Sequence, residues 1–265
     1  MTQARTMYQV DAFTDKIFGG NPAAVLPLDT WPDDTVLLNI AMENNLSETA
    51  FFVPNDAGYH LRWLTPGGEV DLCGHATLAS AFILFEELGH EGEIITFESA
   101  SGPLYVHKKS AGYMLDFPVW KREKIETPPG VAAAIGIEPL EYYKGPDDVA
   151  VLPSPADVRN LAPDFGLLAK CETARGVLAT AQGDIDGDYD FISRAFFPRL
   201  SVNEDPVTGS AHCILAPYWG ERLGKTTLKA HQASARGGDL LCRLNGDRVE
   251  ITGQAALYMR GEIYV

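Results

Sequence analysis

The feature that most constrains this chain is a faint likeness between its two halves. Val25-Leu26-Pro27 is echoed by Val151-Leu152-Pro153. Leu61-Arg62-Trp63-Leu64-Thr65-Pro66 is echoed by Ser193-Arg194-Ala195-Phe196-Phe197-Pro198, with Arg62 over Arg194. Cys73-Gly74-His75-Ala76 lies over Thr208-Gly209-Ser210-Ala211. The separation widens in order along the chain, from 126 to 132 to 135 residues, as small loop insertions in a second copy would make it. Periods of about 20–50 residues build solenoids and propellers. A period this long instead predicts two similar domains related by a pseudo-two-fold axis, with a shared cleft between them. Chance likeness of short apolar strings is the competing explanation, and the preserved order argues against it.

The local patterns are those of strands around one buried helix per half. Tyr8–Phe13 alternates in polarity and reads as a strand, Gly19-Gly20-Asn21-Pro22 as a turn, and Ala23–Leu26 as a buried strand. Asp33 is placed to cap a helix from Asp34 to about Asn44. Thr49–Val53 and His60–Leu64 are further strands. A helix from Ala76 to about Leu88, stopped by Gly89, is apolar nearly all round and is therefore expected to be buried. Thr96–Glu98, Leu104–Val106 and Tyr113–Phe117 continue as a meander, and Ala211 to about Leu223, stopped by Gly224, is the second long helix. The fold class is α+β. The boundary is expected near Pro118, giving an N-terminal domain 1–118 and a C-terminal domain 119–256.

The length suffices for two compact domains with real cores. A net charge of -15 argues against nucleic acid or an anionic membrane as partner. No apolar run reaches bilayer length and no signal-peptide pattern opens the chain, so a cytoplasmic location is expected. The four cysteines form no C-x-x-C pair and keep no zinc spacing with histidine. Neither a phosphate loop nor a dinucleotide fingerprint is present. No metal and no cofactor are expected, which leaves chemistry that side chains perform alone.

Two buried helices that start at matching glycines suggest where that chemistry sits. The first amides of a helix lack intrahelical partners and the helix dipole adds positive potential, so Gly74 and Gly209 mark places where backbone N–H groups can hold a carboxylate. Ordinary helix starts are the plainer alternative for either one. An offset of 126 sets Glu48 over Ala174, so only the first half offers a carboxylate beside this strand. Glu48 precedes the apolar run Ala50–Val53, where desolvation would fit it for proton exchange near neutral pH; a solvated or turn-capping Glu is the alternative. Asp205 precedes the second helix and could orient a substrate amine or hydroxyl or assist Glu48, or could simply shape the turn before Pro206. His75 could bond the substrate, or be structural.

At these residues the chain resembles the PhzF, or phenazine biosynthesis-like, family. The motifs are Val10-Asp11-Ala12-Phe13-Thr14, Gly20-Asn21-Pro22-Ala23-Ala24-Val25, Leu46-Ser47-Glu48-Thr49-Ala50-Phe51, Leu72-Cys73-Gly74-His75-Ala76-Thr77-Leu78-Ala79 and Asp205-Pro206-Val207-Thr208-Gly209-Ser210-Ala211-His212. Together they are highly specific, and they run in order from about residue 8. The resemblance implies a diaminopimelate-epimerase-like fold, each domain a mostly antiparallel sheet wrapped around a central helix, with a strand at about 257–265 returning to the first domain. It also implies a homodimer. The implied activity is a cofactor-independent isomerisation, best known on dihydro-3-hydroxyanthranilate, with a small carboxylate substrate held in the interdomain cleft. By matching motif, Glu48 is the acid/base, with His75, Asp205 and Ser210 as the other polar catalytic residues. Gly74 and Gly209 are the carboxylate donors, and Cys73, Thr208 and Asn21 are grouped with them as substrate-binding. Related epimerases use two opposed thiols. Here Cys73 faces Thr208 in the alignment, so that mechanism lacks its partner. An epimerase pairing Cys73 with an opposed carboxylate, and a non-catalytic carboxylate-binding protein, remain the alternatives.

Overall fold

The alternating strand Ala4–Ala12 (β1) lies inside the first unit's sheet, paired antiparallel on both sides. The computed structural model describes residues 3–185 and 187–265. The chain divides into two units, one comprising Met1–Asp116 and Thr252–Val265, the other Phe117–Ile251. In chain order the first unit contains β1, Asn21–Pro27 (β2), Asp34–Asn44 (α1), Glu48–Asn55 (β3), Gly58–Thr65 (β4), Gly68–Val70 (β5), Gly74–Glu86 (α2), Ile94–Ser99 (β6), Gly102–Lys109 (β7) and Gly112–Pro118 (β8), which runs into the second unit. The second contains Glu123–Ile125 (β9), Val131–Ile135 (α3), Glu141–Lys144 (β10), Asp148–Val151 (β11), Pro155–Arg159 (α4), Phe165–Leu168 (α5), Val177–Gln182 (β12), Phe191–Phe197 (β13), Val202–Asp205 (β14), His212–Leu223 (α6), Thr227–Gln232 (β15), Gly238–Asn245 (β16) and Arg248–Gly253 (β17). Ala255–Tyr264 (β18) then returns to the first unit along β1.

The two units repeat one pairing scheme. In the first, β2 runs antiparallel to β1 and parallel to β3, β4 is antiparallel to β3 and β5, β4 is parallel to β6, and β6 is antiparallel to β7. In the second, β11 runs antiparallel to β10 and parallel to β12, β13 is antiparallel to β12 and β14, β13 is parallel to β15, and β15 is antiparallel to β16. The flanking strands correspond as well, β18 beside β1 and β9 beside β10. Even an ion pair is copied: Arg62 on β4 binds Glu69 on β5, and Arg194 on β13 binds Glu204 on β14.

Strand register corrects one detail of the sequence alignment. Phe51 opposes Arg62 and Ala179 opposes Arg194, so Glu48 corresponds to Gly176 rather than to Ala174. No side chain could occupy that place: a Cβ on Gly176 would come within 2.4 Å of the Phe196 carbonyl oxygen.

Each unit packs its sheet on one helix. In α2, every residue from His75 to Ala81 is buried, and the helix touches β1, β2, β3 and β18, so the sheet curves around it. Its few polar groups close on themselves: Thr77 Oγ1 donates to the Cys73 carbonyl at 2.6 Å and Ser80 Oγ to the Ala76 carbonyl at 2.8 Å. Each fully buried Leu, Ile or Phe here contributes about 1.5–3 kcal/mol. The helix ends at Glu86, short of the expected Leu88, while Gly89 follows in a left-handed conformation. The opposite face of the sheet is covered by α1, where Leu37, Ile40 and Ala41 pack with Ala24, Leu26, Phe51 and Leu64. Asp33 occupies the N-cap position of α1 without making a side-chain cap bond.

In α6, burial runs from His212 to Gly220, and the helix packs on β15 and β16. Pro217 inside it has no N–H to give the Cys213 carbonyl four residues back. That oxygen instead accepts the backbone N–H of Trp120 at 2.9 Å, so the break in the helix becomes a tie to the segment before β9. The second unit's other core layer is built by α3, α4 and α5 on the far face, with Phe196, Ile192 and Tyr142 at its centre. Among the described residues no helix is long and apolar enough to cross a membrane.

Candidate active site

The period of two along a strand decides which side chains of β2 and β3 face α2. Ala24 and Leu26 on β2, and Phe51 on β3, belong to the α1 layer. The intervening residues, Asn21, Ala23 and Val25 on β2 and Glu48 and Ala50 on β3, therefore point to the other face, where α2 lies. The strands run parallel with Ala23 opposite Glu48, which brings the first residues of β2 and β3 to the start of α2. Asn21 belongs to the strand rather than to the turn that its sequence neighbours suggest. The turn closes at Gly20, whose φ of +61° and approach to the Ala12 carbonyl leave no room for a Cβ, which would sit 2.1 Å from that oxygen.

The first cluster forms around His75. Its Nε2 lies 3.3 Å from Glu48 Oε2. Its Nδ1 lies 3.3 Å from Asn21 Nδ2 and 3.5 Å from Cys73 Sγ. Burial pushes the His75 pKa down to about 3, so the ring is neutral at physiological pH and its approach to Glu48 is a close polar contact, neither an ion pair nor within hydrogen-bond geometry. Asn21 is fully buried, and the Glu48 side chain keeps 19% of its surface exposed. That is enough to reach a solvent-borne ligand while one carboxylate oxygen stays inside. Cys73 is the N-cap residue of α2, with extended backbone angles, and Gly74 and His75 open the helix. Their amides belong to the first turn, where no intrahelical acceptor exists.

The second cluster forms at the start of α6. The Thr208 hydroxyl donates to Asp205 Oδ2 at 2.5 Å. Gln232, at the end of β15 and wholly buried, accepts from the Thr208 N–H at 2.8 Å and donates to the Asp205 carbonyl at 2.8 Å. Gly209, Ser210 and Ala211 form a single 3-10 turn before α6, with Gly209 buried and Ser210 half-buried. The Thr208 carbonyl accepts from Nδ1 of His212 at 3.0 Å. Burial pushes this histidine down to about 4, so it too is neutral.

Of the residues singled out in the sequence, Glu48, His75, Asn21, Cys73 and Gly74 meet in the first cluster. Asp205, Thr208, Gly209 and Ser210 meet in the second. Sequence reasoning missed Gln232, which ties Asp205 to Thr208 through three bonds. A lone Gln at the end of an alternating strand carries no signal of its own. It also passed over His212, although that residue ends the motif beginning at Asp205. Trp63, Tyr218 and Trp219 are core residues, the last donating from its indole to Thr180 Oγ1 at 2.9 Å. All four cysteines are buried and outside any disulfide. In Cys213, burial raises the thiol to about 12.

A metal could be held only by Glu48, Cys73 and His75 among the described residues, whose ligand atoms lie within 4.8 Å of one another. The ring, however, offers Nε2 to Glu48 and Nδ1 to Asn21 and Cys73, so a shared ion would have to displace one of those contacts.

The chain is similar to known proteins over nearly its whole length. The sequence profile of PhzC-PhzF, the phenazine biosynthesis-like protein family, matches residues 10–261. The chain is 50% identical over 260 residues to an uncharacterized isomerase of Pseudomonas aeruginosa, covering 98% of this chain and 99% of that protein. A PhzF-family crystal structure from Enterococcus faecalis superposes with a TM-score of 0.96 at 49% identity, covering 99% of this chain and 100% of the other. A hydroxyproline epimerase of Agrobacterium vitis shares the fold alone, with a TM-score of 0.63 at 11% identity over 99% of this chain and 93% of that one.

Proposed function

The chain belongs to the phenazine biosynthesis-like protein family, and from that premise we propose that it is an isomerase in which Glu48 moves a proton on a small unsaturated carboxylate. The observation that carries this reading is the pairing of a partly exposed Glu48 carboxylate with a neutral, buried His75 at 3.3 Å. A neutral imidazole cannot compete as a base at physiological pH. It can turn an N–H toward the carboxylate and help to orient it, while Glu48 takes the proton from a substrate C–H. Glu48 removes a proton from a carbon made acidic by an adjacent unsaturated system and returns it at another carbon of the same system. The substrate carboxylate is held by backbone N–H groups at the start of α2, at Gly74 and His75. The Asp205–Thr208–Gln232 cluster and the 3-10 turn at Gly209 and Ser210 supply polar contacts in the same reaction.

An epimerase with two thiols fits poorly, because the residue aligned with Cys73 is Thr208, and Cys213 is a deeply buried helix residue whose thiol is pushed up to about 12. One carboxylate working on one substrate face gives isomerisation rather than inversion.

The test is proton NMR in D₂O with dihydro-3-hydroxyanthranilate, comparing wild type with Glu48→Gln. The expected result is isomerisation with deuterium uptake in the wild type and none above buffer in the variant. Full activity of Glu48→Gln would overturn the role of Glu48. Inversion of a chiral amino acid, abolished in Cys73→Ala, would replace the reading with an epimerase.

A further inference from the structure

Three groups surround the His75 ring, and their chemistry is asymmetric. On the Nδ1 side stand the Asn21 carboxamide nitrogen at 3.3 Å and the Cys73 thiol at 3.5 Å. Both can donate a hydrogen. On the Nε2 side stands a carboxylate oxygen of Glu48 at 3.3 Å, an acceptor when ionised. A neutral imidazole carries one N–H, and its partners choose which nitrogen bears it. With the proton on Nε2, Nδ1 can accept from Asn21 or Cys73 and the N–H faces the carboxylate 3.3 Å away. With the proton on Nδ1, that N–H would face two donors while the Nε2 lone pair faced the carboxylate. Inside a site where His75 and Asn21 are almost wholly buried, neither mismatch can be relieved by water.

We propose that Asn21 is a positioning residue that, with Cys73, keeps Nδ1 of His75 unprotonated and so turns the Nε2–H toward Glu48. This deepens the reading of Glu48 as the proton carrier and rests on it. It reassigns Asn21 from contact with substrate to control of the histidine. The consequence is a proton kept in place. Once Glu48 has taken a proton from substrate, an Nε2 that already bears hydrogen cannot accept it, so the proton stays on the carboxyl group for redelivery.

The experiment is long-range proton–nitrogen correlation NMR of the uniformly ¹⁵N-labelled full chain near neutral pH, with His75 identified by the signals lost in His75→Gln. In the wild type, Nδ1 is expected to show the shift of a bare imine nitrogen and Nε2 that of a protonated one. Asn21→Leu, which removes the donor at similar size, is expected to populate the Nδ1–H tautomer and to lower kcat about tenfold, the size of one buried hydrogen bond, with KM little changed. A wild-type spectrum with hydrogen on Nδ1 would overturn the proposal without any variant having to fold. So would a pure Nε2–H spectrum in Asn21→Leu, because Asn21 would then not select the tautomer. The spectrum is read without substrate, so its outcome is separate from that of the isomerase assay. An Nε2–H ring in a protein that exchanges no carbon-bound proton would keep the positioning role and sink the reaction.

Discussion

At the start of α2 the chain places Cys73, Gly74 and His75; at the start of α6 it places Thr208, Gly209 and Ser210. The strands around these two helix starts pair in the same order and sense, and both helices return a side chain to the carbonyl of the residue four back. Thr77 does so in α2 and His212 in α6. The difference lies in the histidines. His75 receives hydrogen at Nδ1, whereas His212 gives hydrogen from Nδ1 to a backbone oxygen that can only accept. One backbone plan has thus been fitted with two buried, neutral imidazoles of opposite tautomer. Among the described residues only the one at α2 stands beside a carboxylate, because the strand position that holds Glu48 in the first unit is closed to any side chain in the second. Duplication supplied the scaffold, and single positions divided the labour.

The contrast can be broken most sharply at Glu48. Glu48→Gln keeps size and polarity but cannot carry a proton, and deuterium uptake into substrate is expected to fall by about 10²- to 10⁴-fold. The copied ion pairs test whether likeness extends to energetics. Arg194, 11% exposed, binds Glu204 with both nitrogens of its fork and reaches the Leu161 carbonyl at 2.7 Å. Its counterpart Arg62 binds Glu69 and Asp34, which are 41% and 79% exposed. Chemical denaturation of Arg194→Met should show a loss of about 3 kcal/mol, because Glu204 and the carbonyl are left without a cation in a half-buried place. Arg62→Met should cost about 1 kcal/mol or less, since water can solvate the freed carboxylates.

The two histidines give a third comparison, read by acid titration of stability. Their folded pKa values, about 3 for His75 and about 4 for His212, lie below the ordinary value of about 6.5. The unfolded chain therefore binds protons that the folded chain refuses. Stability is intact above about pH 6.5 and is lost as pH falls toward 4 and 3, by roughly 2 kcal/mol per histidine at about pH 5. His75→Gln and His212→Gln should each flatten that slope, and equal slopes in wild type and variants would contradict the burial of both rings. The smallest effect is expected at Pro217. Pro217→Ala restores an N–H to α6, but the Cys213 carbonyl already has Trp120, so thermal unfolding should shift by no more than about 1 kcal/mol.

Much of this fold was legible because its signals are local or periodic. The span of α1 follows from the sequence at both ends, and α6 reads correctly up to Gly224, whose φ of +63° ends it. The correspondence of Arg62 with Arg194 was visible as a string, though its meaning, a shared carboxylate partner across a short strand, was not. The misplacement of Glu48 over Ala174 arose because a string alignment cannot see a parallel register. The offset between the units changes inside the sheet, and only the pairing with the next strand reveals it. The meeting of Asn21, Glu48 and His75 depends on which face of β2 and β3 packs on α2. Alternation alone offers two faces and does not choose between them. Gln232 was illegible for a stronger reason, since its value comes from bonds to Asp205 and Thr208, more than 20 residues away in the sequence.

The last strand, β18, also governs how the protein must be made. It pairs with β1 over nearly its whole length, and Gln3 and Val265 exchange backbone hydrogen bonds beyond it. On the ribosome, β1 emerges first and must wait for everything after it before that edge is closed. The second unit, whose residues are consecutive, has all its strands in hand earlier. A chain halted before β18 therefore leaves β1 as an open sheet edge in the first unit. Such an edge is a template for pairing with other chains.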